Sequence, residues 1–258
     1  MNIIYRKNKP KGRLLCAVIF ILFSFSFYNP SLCQVTAGTE MGGTDTAYLA
    51  NIITELQKEW PNNRTINLVF HGHSVPSGYQ QTPLVTTFGS YPFLALKLIT
   101  EKYRYAVVNA IKTSIGGENA EQGAKRFKRD VLSKQPDVIF IDYALNDRGI
   151  GLQRAKVAWE KMIREALKAK VKLILLTPTP DLTEDIKDPN APLAQHTNQI
   201  IALGNKYHLP VVKSYAAFKK LAMDGVDLKQ YMAQSNHINP KGHEIVAELI
   251  MKLFESEN

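Results

Sequence analysis

The sequence predicts an α/β protein built on a doubly wound parallel sheet. After residue 60, segments with strand character alternate with segments whose apolar residues recur at helical spacing. The strand segments, such as DVIFIDY, are continuous apolar runs, which is typical of strands covered by helices on both faces. Strands that alternate with helices form parallel sheets through right-handed crossovers. We therefore expect the carboxyl ends of the strands to lie along one edge, where ligands bind in such sheets.

Each element is predicted from its own pattern. Five strands are expected, in TINLVF, YAVVNAI, DVIFIDY, VKLILLTPT and the short LPVVKS. Helices are expected in AYLANIITELQKEW, YPFLALKLITEKY, NAEQGAKRFKRDVL, GLQRAKVAWEKMIREALKAK and AQHTNQIIALGNKY. A last helix is expected from Pro240, since Asn239 can cap it and proline suits a first turn. No internal repeat or linker divides this part of the chain.

The first 33 residues have the pattern of a secretory signal peptide. Five Lys and Arg residues precede an apolar or small-residue run over 14–27, which is too short to span a bilayer comfortably. The triplet SLC predicts cleavage before Gln34, a single domain over 34–258, and a secreted or periplasmic location. An uncleaved anchor is the alternative. A lipid anchor on Cys33 is less favoured, because a leucine precedes it where a small residue is expected.

The composition excludes several function classes. Loss of the leader removes five basic residues and lowers the net charge from +9 to +4, so the basicity gives little reason to expect nucleic acid. Both cysteines, Cys16 and Cys33, lie in the leader, so the remaining chain has no disulfide, thiol nucleophile or cysteine metal site. Zinc bound by His71 and His73 with Asp142 or His243 is disfavoured, because no spaced ligand motif occurs. We expect no cofactor and no metal.

A serine and a histidine are the strongest candidates for chemistry. Ser74 lies in FHGHSVPSG, directly after the first predicted strand. A serine hydroxyl becomes a good nucleophile only when a neighbouring base takes its proton. His237 is favoured as that base, because its turn NHINP leads into a capped helix; the competing histidines are His71, His73, His196, His208 and His243.

An ester-cleaving serine also needs donors that face the oxyanion of the tetrahedral intermediate. The backbone N–H of Ser74, the glycine turn at Gly117 and the side-chain amide of Asn146 each follow a different predicted strand. Because these strands are parallel, the three donors can meet at one edge of the sheet. Gly117 is the less secure donor, since a glycine before a helix needs no catalytic role.

Four segments carry a family resemblance. GHSVPSG, IGGENAEQGAKRF, PDVIFIDYALND and NHINPKGHE resemble the four spaced blocks of the SGNH or GDSL hydrolase superfamily, and together they cover about residues 65–250. The resemblance implies a flavodoxin-like three-layer α/β/α fold with a five-stranded parallel sheet. It also implies a serine ester hydrolase with Ser74 as nucleophile, His237 as general base, and an oxyanion hole formed by Ser74, Gly117 and Asn146.

Three positions depart from the family pattern. His73 stands where the family usually has an aspartate, and Ala144 where it has a glycine. Gln234 stands three residues before His237, in the place of the usual triad aspartate, and cannot supply its charge. The acceptor for the ring N–H of His237 stays open among Gln234, a backbone carbonyl near Ser235, Asp224, Asp227 and Glu244.

The predicted function is an exported serine esterase that removes acetyl or other short acyl groups from carbohydrates. The proposed substrate contacts are His73, Tyr79 and Glu118. Alternatives are a lipid or thioester hydrolase with a long apolar groove, and an exported carbohydrate-binding relative that has lost turnover. The expected partner is a small-molecule or glycan ester, with no nucleic acid and no membrane insertion after cleavage.

Overall fold

Five parallel strands form the central sheet of the computed structural model, which describes residues 45–255. The sheet order is β2-β1-β3-β4-β5, with bounds Thr65–Gly72 (β1), Val107–Lys112 (β2), Val138–Asp142 (β3), Lys172–Leu176 (β4) and Val211–Val212 (β5). In register, Phe70 lies between Lys112 and Phe140. The predicted five-stranded parallel sheet is therefore confirmed. The predicted leader and its cleavage site lie outside the described residues.

The order in which strands are added to the sheet reverses at β1, because β2 lies on one side of it and β3 on the other. The chain passes from β1 to β2 on one side and then crosses back to β3 on the other side. This strand order is that of flavodoxin-like sheets, in which ligands bind at the crevice beyond the reversal. Gly72 ends β1 opposite Asp142 at the end of β3, so these two strand ends define the crevice.

Helices cover both faces of the sheet. Alternate strand residues point to opposite faces, so Leu68 and Phe70 belong to one buried cluster and Val69 and Ile139 to another. The helices are Asp45–Tyr48 (α1), Ala50–Leu56 (α2), Ser74–Ser77 (α3), Tyr91–Lys102 (α4), Ala120–Arg126 (α5), Ala144–Asp147 (α6), Gly151–Lys168 (α7), Pro192–Tyr207 (α8), Ser214–Met223 (α9) and Pro240–Lys252 (α10). Helices α4, α9 and α10 line the first cluster, and α5 and α7 line the second. The result is the expected three-layer α/β/α arrangement.

Several elements differ from the sequence prediction. The helix α9 was not predicted, although Tyr215, Phe218 and Ala222 are buried along one of its faces. A short antiparallel hairpin of β6 (Met232–Gln234) and β7 (His237–Ile238) was also not predicted, and it carries the histidine of interest. The first predicted helix is split into α1 and α2, and it ends at Leu56, before Pro61.

The helix predicted over NAEQGAKRFKRDVL is not regular throughout. It is α-helical only to Arg126, and then widens into a π-helical turn over Phe127–Val131 and tightens into a 3₁₀ turn over Leu132–Lys134. Phe127 and Val131 are buried in this stretch. Of the helices within residues 45–255, none combines the length and the apolar character that a membrane crossing requires.

Candidate active site

The backbone after β1 presents Ser74 at the sheet edge. The strand ends at Gly72, His73 is the N-cap residue, and Ser74 begins the one-turn helix α3, which Gly78 ends in the left-handed conformation at φ 95°. A Cβ atom at Gly72 would overlap the carbonyl oxygen of Asp142, so the close approach of β1 and β3 requires glycine there. The Ser74 side chain is held in a rigid turn at the crevice and is 7 % exposed.

His237 reaches Ser74 from the β6–β7 hairpin. Its Nε2 lies 2.8 Å from Ser74 Oγ, although the two residues are 163 positions apart in the chain. The hairpin is anchored to α10, because the Asn239 side chain accepts from Gly242 N and donates to the Gln230 carbonyl. The nucleophile and base candidates are therefore in direct hydrogen-bond contact.

A backbone carbonyl orients the His237 ring. Nδ1 lies 2.8 Å from the carbonyl oxygen of Gln80. Because a carbonyl oxygen only accepts, Nδ1 carries the proton and Nε2 is free to accept the Ser74 hydroxyl proton. Burial lowers the pKa of His237 below its ordinary value, and the Gln80 carbonyl partly opposes this by raising the pKa. The ring is thus neutral near pH 7 and has the tautomer of a general base.

The acceptor is none of the groups that the sequence suggested. Ser235 O accepts from Leu182 N, Asp224 pairs with Lys220, and Asp227 accepts from Lys229 N. Glu244 is exposed on α10. Gln234 Oε1 accepts instead from Thr82 N at 2.9 Å and from Thr82 Oγ1 at 3.1 Å. A backbone carbonyl was among the expected acceptors, but the carbonyl is that of Gln80 and not one near Ser235, because the loop after α3 folds over the hairpin.

The three candidate oxyanion donors follow β1, β2 and β3. Ser74 N is at the start of α3, where a backbone N–H has no acceptor within its helix. Gly117 adopts φ 78° in the turn after β2. Asn146, in α6, uses one N–H of its amide to donate to the Glu118 carbonyl at 2.9 Å. This bond ties the loop after β2 to the loop after β3.

Asp147 also links the segment after β3 to neighbouring helices. Its Oδ1 accepts from Ala120 N, the first residue of α5, and its Oδ2 accepts from Trp159 Nε1 of α7, both at 2.7 Å. The carboxyl is fully buried, and burial raises its pKa to about 6. The two partners of Asp147 therefore lie on two other helices, α5 and α7.

The expected substrate contacts have three different placements. Tyr79 is half-buried beside the site, with its ring centroid 6.0 Å from that of His237. His73 is 1 % exposed and lies beneath Ser74. The Glu118 carboxylate is buried and fully engaged, since it accepts from Arg126 Nε at 2.7 Å and from Tyr143 OH at 2.9 Å. Tyr79 alone of the three keeps a side chain available to a ligand, whereas His73 and Glu118 have structural positions.

A buried polar network behind Ser74 was not foreseen. His73 Nδ1 accepts from Val75 N at 3.3 Å, and its Nε2 lies 3.3 Å from Asp142 Oδ1. Tyr91 OH donates to Asp142 Oδ2 at 2.9 Å, and Tyr91 N donates to His243 Nδ1 at 3.2 Å. A charged residue at the end of the apolar strand DVIFID was the signal that could have indicated this network, since a buried carboxylate requires partners.

His71 has a structural environment. Its ring contacts Thr113 Oγ1 at 2.9 Å and Tyr143 OH at 3.1 Å, and burial lowers its pKa to about 3. It therefore stays neutral inside the layer that faces α5. Within residues 45–255, no three His, Cys, Asp or Glu side chains are grouped so that they could hold a metal ion.

Comparison with known proteins places the chain in a family. The model of the GDSL-like lipase/acylhydrolase family matches residues 70–245. No curated protein sequence matches the chain.

Solved structures share the fold. A two-domain esterase active on acetylated mannans is 20 % identical, with a TM-score of 0.67 over 80 % of this chain. The match covers 52 % of that esterase, so this chain spans about half of its length. An acetylxylan esterase from Geobacillus stearothermophilus is 19 % identical, with a TM-score of 0.63 over 74 % of this chain and 95 % of that one. Variants of that enzyme with a serine, a histidine or an aspartate replaced are described as catalytic mutants.

The family match and the fold agree. The matched segment, residues 70–245, contains Ser74, Gly117, Asn146 and His237 and covers more than half of the chain. The chain belongs to the GDSL-like lipase/acylhydrolase family.

Proposed function

We propose that this protein removes acetyl or other short acyl groups from a carbohydrate through an acyl-enzyme on Ser74. The observation that carries the proposal is the chain of contacts from Ser74 Oγ to His237 Nε2 and from His237 Nδ1 to the Gln80 carbonyl, both 2.8 Å long. This arrangement gives the serine a neutral base of the correct tautomer.

In the first half of the reaction, Ser74 Oγ attacks the ester carbonyl carbon while its proton passes to His237 Nε2. The carbonyl electron pair moves to the oxygen, and the oxyanion accepts from Ser74 N, Gly117 N and Asn146 Nδ2. Collapse of this intermediate breaks the bond to the sugar oxygen, which takes the proton from His237 Nε2. The products are the free sugar hydroxyl and the acyl group on Ser74.

In the second half, water replaces the sugar oxygen. His237 Nε2 takes a proton from the water, the resulting hydroxide attacks the acyl carbon, and the proton then returns to Ser74 Oγ as the carboxylic acid leaves. The Gln80 carbonyl accepts a hydrogen bond from His237 Nδ1–H throughout the reaction. Because a neutral carbonyl stabilises the imidazolium less than a carboxylate does, His237 is a weaker base than a histidine in a full triad.

Two observations favour a carbohydrate ester as the substrate. The solved structures of similar fold include esterases described as acting on acetylated mannans and on acetylxylan. The half-buried ring of Tyr79 lies beside His237, where an apolar face can pack against a sugar or a short acyl group.

A second candidate, hydrolysis of longer acyl esters, is favoured by a separate observation. The segment after Tyr79 exposes three apolar side chains, Leu84, Val85 and Phe88, and Phe88 is 79 % exposed. An apolar rim of this kind can bind an acyl chain of several carbons.

Acetate release from acetylated xylan and mannan, measured beside hydrolysis of 4-nitrophenyl acetate and octanoate, tests the proposal. We expect acetate release from at least one polysaccharide and faster turnover of the acetyl than of the octanoyl ester. Activity should be absent in the Ser74→Ala variant. A preference for octanoate would favour the second candidate, and the absence of hydrolysis in the parent would favour a binding protein.

We also propose that the protein is exported and acts outside the cytoplasm. The proposal rests on the basic and apolar pattern of the first 33 residues. Amino-terminal sequencing of the protein from the medium or periplasm should begin at Gln34. A chain that retains its leader in the membrane fraction would indicate an anchor instead.

A further inference from the structure

We propose that Gln234, which occupies the usual place of the triad aspartate, is a positioning residue that holds the loop bearing the Gln80 carbonyl against the His237 ring. The proposal rests on the function proposed above, in which His237 is the base. Gln234 does not touch the ring with its side chain. It acts through Thr82, which lies two residues after Gln80.

The contacts define the orientation of the Gln234 amide. Oε1 accepts from Thr82 N at 2.9 Å and from Thr82 Oγ1 at 3.1 Å, and Nε2 donates to Asn236 Oδ1 at 2.9 Å. A backbone N–H can only donate, so the atom that faces Thr82 is the oxygen. Gln234 therefore makes three hydrogen bonds that use both ends of its side chain.

These bonds close a ring of contacts around the base. Gln234 and His237 are opposite each other in the β6–β7 hairpin. From Gln234 the contacts run to Thr82, along the backbone to Gln80, and from the Gln80 carbonyl back to His237 Nδ1. The carbonyl is thus linked to the same hairpin that carries the histidine.

Apart from the contact between the Gln80 carbonyl and His237, the other backbone hydrogen bonds of the loop stay within it or return to α3, as from Tyr79 N to Ser74 O at 3.1 Å. Gln80 N donates to Leu84 O, Leu84 N donates to Gln81 O, and Thr86 N donates to Gly78 O. These bonds shape the turn but do not reach the hairpin. The side chain of Gln234 supplies the link that sets the distance between the turn and the histidine.

Loss of this link should change the base in two ways. The ring would lose the acceptor that selects its tautomer, which lowers kcat. The Gln80 carbonyl raises the pKa of His237, so its loss should move the acidic limb of the pH–rate profile to lower pH. The titratable groups that face His237 from other elements are His73, Asp181 and His243, and none of them is altered by the change.

The test compares Gln234→Leu with Gln234→Glu. The leucine variant lacks the acceptor, and we expect kcat for 4-nitrophenyl acetate to fall about tenfold, as for one lost hydrogen bond, with KM nearly unchanged. The glutamate variant keeps an oxygen for both Thr82 donors, so it should restore most of kcat and keep the acidic limb at or above that of the parent. Gln195→Leu, which removes an exposed glutamine on α8, is the matched control.

A proton NMR measurement makes the test independent of turnover. A hydrogen-bonded Nδ1 proton of His237 should give a downfield resonance that is absent in His237→Ala. We expect this resonance to be lost or rapidly exchanging in Gln234→Leu and present in Gln234→Glu. If the leucine variant fails to fold, Thr82→Val, which removes one of the two donors to Gln234, should weaken the same resonance.

The outcomes separate this inference from the proposed function. An unchanged resonance, kcat and acidic limb in Gln234→Leu would overturn the positioning role while leaving the serine mechanism intact. Equal losses in the leucine and glutamate variants, with an unmoved acidic limb, would also overturn it. Activity that survives in Ser74→Ala would instead overturn the proposed function.

Discussion

Replacing Asp147 with alanine should destabilise the protein and do so most strongly at mildly acidic pH. The carboxyl is fully buried and accepts from Ala120 N and Trp159 Nε1, both at 2.7 Å. Alanine leaves both donors without an acceptor. A buried unsatisfied donor costs about 1–3 kcal/mol, so we expect a loss of about 3 kcal/mol at pH 5.

The pH dependence follows from the raised pKa of Asp147. Burial raises its pKa in the folded protein to about 6, from an ordinary 3.8. The folded state then binds more protons than the unfolded state between these values, so the parent loses stability as the pH rises from about 4 to 6. Integrated from pH 5 to pH 7, this loss is about 1 kcal/mol, and it is absent in the variant. The destabilisation by Asp147→Ala should therefore be about 1 kcal/mol smaller at pH 7 than at pH 5.

Urea unfolding at the two pH values, followed by tryptophan fluorescence and far-UV circular dichroism, measures both effects. At pH 5 the melting temperature should also fall by about 6–12 °C. Asp188→Ala is the control, because the exposed Asp188 carboxylate accepts one bond from Asn190 N at the surface. The control should change stability by less than about 0.5 kcal/mol. A matching small change in Asp147→Ala, or the same loss at both pH values, would contradict the role of the buried Asp147 carboxyl.

Two further predictions concern the crevice and the base. Gly72→Ala should cost about 1–3 kcal/mol in urea unfolding, because its Cβ would overlap the Asp142 carbonyl, whereas Gly149→Ala, with no atom nearer than 3.5 Å, should be nearly neutral. Equal effects of the two substitutions would argue against a close approach of β1 to β3 at Gly72. The acidic limb of kcat/KM should have its midpoint below 6.5, because burial lowers the pKa of His237 and keeps the base neutral to lower pH. A pH–rate profile with the midpoint at or above 6.5 would count against His237 as the base.

The sheet was predictable because both of its faces are buried. Continuous apolar runs such as TINLVF and DVIFIDY leave few alternatives to parallel strands, and β1 and β3 lie within two residues of the predicted bounds. The helix α9 was missed because its pattern is weak: Tyr215, Phe218 and Ala222 have helical spacing, but the helix is short and contains small residues.

The site was predictable only in part. Ser74 and Asn146 follow neighbouring parallel strands, so topology alone brings them to one edge. His237 was favoured from its turn and the capped helix that follows, but topology alone does not bring it to Ser74, because its hairpin lies outside the sheet.

The carbonyl of Gln80 could not be predicted from residue types. Every residue carries a carbonyl group, and Gln80 is 157 positions away from His237. Its role is set by the way the loop after α3 packs on the hairpin, and no pattern of apolar or charged residues encodes that contact. The same holds for Asp147, whose partners lie on two helices that only the folded chain brings together.

Covalent labelling with a fluorophosphonate tests the assignment of Ser74 as the nucleophile, because the reagent reacts with a serine that a histidine has activated. We expect one adduct per chain, located on Ser74 by peptide mass spectrometry. The adduct should be absent in Ser74→Ala and should form much more slowly in His237→Ala. No adduct in the parent, or an adduct on another serine that persists in Ser74→Ala, would contradict the assignment of Ser74 as the nucleophile.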